Sequence, residues 1–316
     1  MADYSVCVDL AGGRKGGAAR FLKELDCHVR ESAGVQFIGR ENRLTARWLL
    51  QRELEASAPR RISLNNASMV AGEERVVLLR NALHFASAQE MDQLNFSPSP
   101  ELRAQTPVIR ALARRATEIV VPCTAMAERV VSYLPRCADR ITVKFHPVSQ
   151  VARREVEGPR AILMPIVNSP YKQLEVHVAA LLAANEKNSE RIQIILTGTA
   201  QDYPKEISSD PSVRFIGVVS ADVLNDYWAT VDAIYFPTKL EAFGYPLAEA
   251  RTHGVPVLAL DTPQNREIAG NALRPFTFNH KGSIATALRD ALDHPSAPDP
   301  AQFDPKSYFQ WLMGAK

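Results

Sequence analysis

Two glutamates eight residues apart, Glu241 and Glu249, have the residue type and spacing to hold the hydroxyl groups of a ligand. They lie in the stretch TKLEAFGYPLAEARTHGVPVLAL, residues 238–260. Pro246 favours the first turn of a helix, where its missing N–H costs nothing, and Gly254 favours the end, because glycine accepts a left-handed backbone. The stretch therefore predicts a loop with Glu241, a helix with Glu249 near its start, and a buried strand.

The start of this helix also predicts an anion site. The first amides of a helix have no partner within it and, together with the helix dipole, attract phosphate; here they belong to Phe243, Gly244 and Tyr245. The apolar stretches AIYFP and VPVLAL on either side place the helix start at the carboxyl edge of a parallel sheet, where ligands bind in this class of fold. A ligand with both phosphate and hydroxyl groups is a sugar nucleotide. The alternative is that both glutamates are solvated and bind nothing.

Length and composition are those of a globular protein with two domains. The chain has 316 residues, 46% hydrophobic and 23% charged, and at about 150 residues per domain this predicts two domains. No apolar run approaches the ~18 residues of a membrane span, and the N-terminal MADYSVCVDL lacks the features of a signal peptide. The four cysteines form no C-x-x-C pair, so we expect reduced, structural thiols in a cytoplasmic protein.

Positive charge is concentrated in the first half of the chain. Residues 1–150 carry 18 Arg and 3 Lys against 16 Asp and Glu, whereas the remaining residues carry 16 basic and 19 acidic side chains. An arginine-rich half could attract an anionic or lipid-linked acceptor, or give peripheral contact with the inner membrane face. The alternative is that most of these arginines lie on solvated helix faces. We expect no nucleic-acid partner.

Strands and helices alternate along both halves. The first half predicts strands at YSVCVDL, ERVVLLR, TEIVVP and ITVKF, and the second at AILMPIV, IQIILTG, VRFIG, AIYFP and VPVLAL. Such alternation is typical of parallel sheets built from βαβ units. The charged stretch 150–160 predicts a linker, so we expect two Rossmann-like α/β domains, 1–150 and 151–302, facing each other across a cleft. The segment 303–316 could cap the second domain or pack back on the first.

Six motifs occur in order along the chain. GGRKGGAARFLKEL is a glycine loop running into a helix, and VVLLRNALHF and VIRALARRATEIVVPCTAMAERV follow in the first half. YKQLEVHVAAL, VRFIGVVSADVLNDYWATVDAIYFPTKLEAFG and EAFGYPLAEARTHGVPV follow in the second. Together they resemble the retaining glycosyltransferases of family 4, or group 1, with the GT-B fold. The first motif is similar to the family's glycine loop, and the next two are similar to the middle of its acceptor domain. The last three are similar to its phosphate-lysine helix, its nucleotide side and its E-x7-E signature. The resemblance implies an acceptor-side first domain and a donor-binding second domain.

The resemblance implies a role for each matching donor-side residue. Glu249 would hold the ribose hydroxyls, and Glu241 would contact the donor sugar near the reacting centre. Lys172 would neutralise the pyrophosphate as charge grows on the leaving group; by itself, a solvated lysine would be the ordinary interpretation. The other donor contacts would come from Gly16 and Gly17, from Val218 beside the base, and from the amides of Phe243, Gly244 and Tyr245.

One departure from the family pattern concerns the phosphates, and another follows the last strand of the first domain. The family has an arginine five residues before the phosphate lysine, where this chain has Val167. Arg14 or Lys15 could replace the missing charge. The family's Asn-Gly after the last strand of the first domain is His146-Pro147 here.

The other departure concerns the acceptor side. Where relatives place a histidine at the end of a strand, this chain has Arg80, followed by Asn81 and His84. The resemblance implies that these three residues face the acceptor. His84 would be the catalytic polar partner at the reacting centre, with an ordinary structural histidine as the alternative.

The sequence thus predicts a metal-independent hexosyltransferase. The resemblance implies that it moves a sugar, with retention, from a nucleotide-diphosphate donor (UDP favoured, GDP possible) to an acceptor hydroxyl of a polysaccharide, glycolipid or natural-product glycoside. The chain has no D-x-D and no Cys/His cluster, so we expect no metal and no cofactor beyond the donor substrate. One alternative is a NAD-type oxidoreductase built on GGRKGGAAR, with Glu41 as the acidic residue after its second strand. Another is a sugar-nucleotide-binding partner protein that has lost catalysis.

Overall fold

The chain forms two compact units. The computed structural model describes residues 4–13, 16–29, 34–154, 158–166, 169–188, 190–280 and 282–314. Unit 1 contains the residues up to Pro147, the loop Leu240–Phe243 and the tail from Asp304, and unit 2 contains Val148–Lys239 and Gly244–Phe303. All four cysteines are free thiols. Among the described residues, no helix combines the length and apolar character needed to cross a membrane.

Unit 1 is built on a parallel sheet of six strands in the order β2-β1-β3-β4-β5-β6. The strands are β1 (Val6–Asp9), β2 (Val35–Ile38), β3 (Arg60–Ser63), β4 (Glu74–Leu78), β5 (Glu118–Val121) and β6 (Ile141–Val143). The helices between them are α1 (Gly16–His28), α2 (Ala46–Glu55), α3 (Ala88–Gln93), α4 (Pro100–Ala113) and α5 (Thr124–Tyr133). β1 is buried along its whole length, as expected for a central strand of a parallel sheet that helices cover on both faces.

Unit 2 is built on a second parallel sheet of six strands, in the order β12-β11-β10-β7-β8-β9. The strands are β7 (Ala161–Met164), β8 (Gln193–Leu196), β9 (Val213–Phe215), β10 (Ala233–Phe236), β11 (Val257–Leu260) and β12 (Leu273–Phe276). The helices are α6 (Leu174–Asn185), α7 (Lys205–Ser208), α8 (Ala221–Thr230), α9 (Tyr245–His253), α10 (Pro263–Ala269) and α11 (Ser283–Asp293). β7 and β10 are neighbours, so the strand order reverses between them.

The tail of the chain belongs to unit 1 and ends in helix α12 (Pro305–Leu312). Tyr308 and Phe309 pack edge-on against Phe21 of α1, with ring centroids 5.7 and 5.6 Å away. Arg60 of β3 donates from Nη2 to the carbonyl oxygen of Leu312 at 3.1 Å. Aromatic packing and this hydrogen bond therefore fix the last helix on unit 1.

The predicted fold class, alternating strands and helices in two parallel sheets, is confirmed. The sequence patterns do not predict β2, α2, β3, α3, α7, α10 or β12. β3 begins with two arginines and β12 contains Pro275 on an edge strand, where a missing N–H is tolerated. The predicted helix YKQLEVHVAAL begins later than expected, because Gln173 has a left-handed backbone (φ 48°) and α6 starts only at Leu174.

Candidate functional site

The carboxyl edge of the unit 2 sheet has the arrangement at which α/β proteins bind ligands. The strand order reverses between β7 and β10, which are paired, and a crevice opens at such a reversal beyond the carboxyl ends of the strands. The segment after β7 leads to Lys172, and the segment after β10 leads to α9. Unit 2 therefore brings Lys172 and the start of α9 to the same edge.

The start of α9 has the geometry of an anion site. Its N-cap residue, Gly244, has a left-handed backbone (φ 81°), and no side chain caps the helix there among the described residues. A Cβ at Gly244 would lie 3.1 Å from both Leu247 and Phe236, so the position suits glycine for space as well as for conformation. Pro246 lies in the first turn and Gly254 ends the helix with φ 70°, which confirms the predicted helix start and stop.

Glu249 is buried on α9, with 2% of its surface exposed. Its helical neighbours Leu247, Ala248 and Ala250 are fully buried. A buried carboxylate requires polar partners, and ligand hydroxyls at the sheet edge are groups that it could also bind.

Thr238 is a further polar group at this edge, and the sequence analysis did not single it out. It follows β10 and is 5% exposed. Its Oγ1 has no hydrogen-bond partner among the described residues. A buried hydroxyl without a partner is unfavourable, and a ligand bound beyond β10 could satisfy it. Its position as the first polar residue after the AIYFP strand was the available signal.

Lys172 lies in a short 3₁₀ turn, Pro170–Lys172, between β7 and α6. Its backbone N–H donates to the carbonyl oxygen of Ser169 at 2.9 Å. The ammonium nitrogen lies 5.8 Å from the ring centroid of Tyr171. The lysine is half-buried, so it is held at the edge of the sheet rather than extended into solvent. Val167 lies outside the described residues.

Val218, the predicted neighbour of the base, is 94% exposed. It follows Gly217, which forms an antiparallel bridge with Gly198 through two hydrogen bonds of 2.9 Å. The bridge joins the segments that leave the carboxyl ends of β8 and β9. An exposed valine on such a fixed turn offers an apolar surface to a planar ligand, but nothing covers it within the described part of the chain.

His177 and Lys239 form a second cluster in unit 2 that the sequence analysis missed. His177 in the first turn of α6 is 3% exposed and stacks on Phe278, with ring centroids 4.9 Å apart. Lys239 Nζ lies 6.0 Å from the centroid of the same phenylalanine ring. Burial, with a smaller contribution from Lys239, lowers the pKa of His177 to about 4, so the imidazole is neutral at neutral pH.

Glu241 and Phe243 belong to unit 1, in the loop Leu240–Phe243. Cys123 donates from Sγ to the carbonyl oxygen of Ala242 at 3.2 Å. The Phe243 ring lies 5.1 Å from that of His146. Burial, with a smaller contribution from Arg80, holds the pKa of His146 well below its usual range. The histidine that replaces the family's asparagine is therefore a neutral core residue.

A buried carboxylate organises the glycine loop of unit 1. Asp9, at the carboxyl end of β1, is fully buried. Its Oδ1 accepts from Ala11 N at 3.0 Å and from Trp48 Nε1 at 3.1 Å. Its Oδ2 accepts from Arg52 Nη1 at 2.8 Å and from Asn65 Nδ2 at 2.7 Å. The network fixes the turn that leads into α1, and the sequence offered no local signal for it.

The predicted glycine loop continues into α1 through Gly16 and Gly17, which are both exposed. Gly16 has a left-handed backbone (φ 56°), and a Cβ there would meet nothing within 4 Å. The space beside it is therefore open to a ligand. Arg14 and Lys15, the predicted substitutes for the missing arginine, lie outside the described residues.

The predicted acceptor-side residues point largely into unit 1. The guanidinium carbon of Arg80 lies 4.7 Å from the ring centroid of Phe21, and Nη2 donates to the carbonyl oxygen of Leu64. Asn81 accepts from Leu83 N through Oδ1 at 3.1 Å and so starts a short 3₁₀ turn. These contacts are those of structural side chains.

His84 ends that 3₁₀ turn and is 4% exposed. Its Nδ1 lies 3.3 Å from Thr106 Oγ1 on α4. Burial, with a smaller contribution from Arg110, lowers its pKa to about 4. The imidazole is thus neutral and lies beneath the surface of unit 1. Its predicted contact with an acceptor stays a prediction.

No metal centre is evident in the part of the chain that the structure describes, where no three His, Cys, Asp or Glu side chains could hold an ion. The candidate site is instead made of a lysine, a helix start and a buried carboxylate. Such a set can bind a phosphate and neighbouring hydroxyl groups.

Comparison with known proteins gives one family and a fold. Residues 162–294 match a family model described as "Glycosyl transferases group 1". This stretch contains Lys172, Thr238 and Glu249. No curated protein sequence matches the chain.

Solved structures are similar over nearly the whole length. WaaG, a glycosyltransferase involved in lipopolysaccharide biosynthesis, has a TM-score of 0.63 at 14% identity, covering 98% of this chain and 95% of its own. The apo form of the lipopolysaccharide outer core galactosyltransferase WaaB has a TM-score of 0.57 at 12% identity, covering 98% and 99%. Sucrose-phosphate synthase from Thermosynechococcus elongatus has a TM-score of 0.61 at 14% identity, covering 99% and 94%. Residues 162–294 thus match the group 1 glycosyltransferase family, and the chain as a whole has the GT-B fold of two parallel sheets with helices.

Proposed function

We propose that the chain transfers a hexosyl group from a UDP-sugar to an acceptor hydroxyl, with retention and without a metal ion. One observation carries the proposal: a buried glutamate, Glu249, lies on a helix whose start has no side-chain cap from any described residue, at the same sheet edge as Lys172. A carboxylate suits the ribose hydroxyls, and a helix start with a lysine suits a diphosphate.

In this proposal unit 2 holds the donor. Glu249 accepts hydrogen bonds from the ribose hydroxyls, and Val218 lies beside the base. The start of α9, including Gly244 and Tyr245, binds the diphosphate together with Lys172. Because negative charge grows on the leaving diphosphate as the glycosidic bond breaks, these groups stabilise the transition state more than the bound donor.

The transfer step itself exchanges one bond for another. The bond from the anomeric carbon to the diphosphate oxygen breaks, and the acceptor oxygen forms a new bond on the same face of the sugar. The acceptor proton passes to an oxygen of the leaving phosphate, so that the products are the glycoside and the nucleotide diphosphate. Glu241 contacts the donor sugar in this step, and the cationic role of a metal is taken by Lys172 and the helix start.

The acceptor is assigned to unit 1, whose half of the chain carries the arginine excess. Two of the similar structures are named for lipopolysaccharide synthesis, which supports a glycolipid acceptor. The loop Leu240–Phe243, with Glu241, and the glycines Gly16 and Gly17 also belong to unit 1.

Binding measurements test the donor assignment. Isothermal titration with UDP, GDP, dTDP and NAD should show the tightest binding for UDP and none for NAD. Glu249→Gln should weaken UDP binding, whereas Glu175→Gln, an exposed glutamate on α6, should not. NAD binding without UDP binding would refute the proposal. The anomeric configuration of the product, read by NMR, tests retention, and unchanged transfer in the presence of EDTA tests metal independence.

A second candidate is a protein that binds the sugar nucleotide without transferring the sugar. The observation in its favour is that Arg80 and His84 pack inside unit 1. In active transfer His84, whose Nδ1 lies 3.3 Å from Thr106 Oγ1, would have to meet the acceptor through Nε2. UDP-sugar binding with neither donor hydrolysis nor transfer to any glycolipid would favour this candidate.

A further inference from the structure

Unit 1 contains an open cavity that the donor chemistry does not use. It has a volume of about 450 Å³ and lies between the segment after β4 and helix α4. One wall is apolar, formed by Leu83, Ala86 and Met91, and Leu102 of α4 adds to it. A cavity of this size accommodates a small molecule with an apolar body.

The other wall is a stripe of three arginines on α4 and its C-cap, Arg103, Arg110 and Arg114. Their spacing of i, i+7 and i+11 places them within about 40° of arc on one helix face, over a length of about 16 Å. The apolar wall therefore runs alongside a row of guanidinium groups.

The structure describes no ion pair that neutralises these arginines. Among the described residues, no carboxylate forms an ion pair with any of the three, and the nearby Glu90 pairs with Arg129 instead. Arg110 is anchored, since its Nε donates to the carbonyl oxygen of His84 at 2.8 Å and its guanidinium lies 3.5 Å from the ring centroid of Tyr133. Arg103 and Arg114 are exposed.

Charge and shape together select the occupant. Arginine recognises phosphate through paired hydrogen bonds, and three guanidinium groups in a row without carboxylates favour an anion. The apolar wall buries a hydrocarbon chain, which inorganic phosphate or a sugar phosphate lacks. An uncharged hydrocarbon chain would give the three guanidinium groups no anion to bind.

We propose that the groove between Leu83–Met91 and α4 binds an amphiphilic phosphate, a single alkyl or isoprenyl chain with a phosphate head held by Arg114 and Arg110, which lie one helical turn apart. This groove lies beside His84, the residue assigned to the acceptor side. The role as an acceptor site rests on the proposed transfer function, and it makes the acceptor a lipid-linked phosphate. The binding of the amphiphile itself does not depend on that function.

Isothermal titration of the full chain with decyl phosphate, kept below its micelle concentration, tests the groove. Decyl phosphate should bind, and inorganic phosphate and decyl maltoside should bind at least about tenfold more weakly, because each lacks one of the two contacts. Equal binding of decyl maltoside would overturn the proposal, because it would show that the charge plays no part.

Arg114→Glu and Arg115→Glu form a matched pair. Both reverse one exposed charge at the end of α4, but Arg115 does not line the groove. Arg114→Glu should weaken decyl phosphate binding about tenfold or more, and Arg115→Glu by less than about twofold. Leu102→Asn should also weaken it without changing the charge. Equal effects of the two charge reversals would refute the groove as the binding site.

Two further measurements distinguish binding in the groove from binding to a membrane surface and from effects on the donor site. If vesicles containing phosphatidylglycerol bind the chain but monomeric decyl phosphate does not, the arginines serve a membrane surface and the proposal is wrong. UDP binding by Arg114→Glu should equal that of the parent chain, as expected for a groove separate from the donor contacts. Decyl phosphate binding in a chain that binds no nucleotide would leave the groove intact and refute only the transferase.

Discussion

Lowering the pH should destabilise unit 2 through His177. The imidazole is neutral in the folded chain down to a pKa of about 4, because it is buried and lies near Lys239. In the unfolded chain it has its ordinary pKa of 6.5. Between these two values the unfolded state binds more protons, so the free energy of unfolding falls as the pH falls through this window. The loss is complete below about pH 4.

The magnitude follows from the two pKa values. A pH of 5 is about 1.5 units below the ordinary pKa of the unfolded imidazole, whereas the folded imidazole is still neutral at this pH. This difference in proton binding lowers the free energy of unfolding by about 2 kcal/mol. His177→Phe keeps a ring against Phe278 and removes the titratable group. The variant should therefore lose about 2 kcal/mol less than the parent chain between pH 7 and pH 5.

Urea unfolding at the two pH values measures this difference. Trp228 is the tryptophan of unit 2 and is fully buried, so its fluorescence reports that unit when Trp48 and Trp311 are replaced by phenylalanine in all variants. His280→Phe, at an exposed position in the same unit, is the control and should keep the full pH dependence. If His177→Phe and the parent chain lose the same free energy on acidification, the reasoning from burial is wrong.

Three further outcomes are expected. Glu249→Gln should weaken UDP binding about tenfold or more in isothermal titration, since a hydrogen bond to a charged group contributes roughly 1.5–3 kcal/mol; equal affinity would remove Glu249 from the site. Lys172→Ala should lower kcat more than donor affinity, because charge grows in the transition state; equal turnover would contradict its role. Gly254→Ala should lower the stability of unit 2 by at least about 2 kcal/mol, because φ is 70° and the new Cβ would lie 2.7 Å from Pro298. Gly282→Ala, at φ 90° with nothing within 4 Å of the new Cβ, should cost less in the same urea unfolding experiment, and equal costs would refute the clash.

Local signals in the sequence were sufficient for α9 and for the alternation of strands and helices. Pro246 and Gly254 mark the ends of α9 because helix termini depend on the backbone preferences of single residues. β3 escaped detection for the opposite reason. Its first residue, Arg60, has the character of a surface charge in the sequence, but its guanidinium donates to the carbonyl oxygen of Leu312, 252 residues further along the chain.

The burial and the hydrogen bonds of the candidate site residues could be read only from the tertiary structure. The sequence placed Glu249 on a helix, but only packing shows that it is 2% exposed. It placed His84 beside a strand end, but the contact with Thr106, 22 residues further along the chain, decides that the imidazole lies inside. Burial and hydrogen bonding depend on residues far apart in sequence, and no local pattern records them.

By itself, the sequence determined which residue types follow which strands, the ends of α9, the parallel α/β class and the resemblance to a glycosyltransferase family. The tertiary structure alone decided the pairing of Asp9 with Arg52 across 43 residues, the burial of a threonine hydroxyl beyond β10, and the joining of an arginine stripe to an apolar wall. The physical reason is how far apart in the chain the interacting residues lie. Turns, caps and hydrophobic periodicity are set by neighbours in the chain, whereas desolvation and charge pairing are set by neighbours in space.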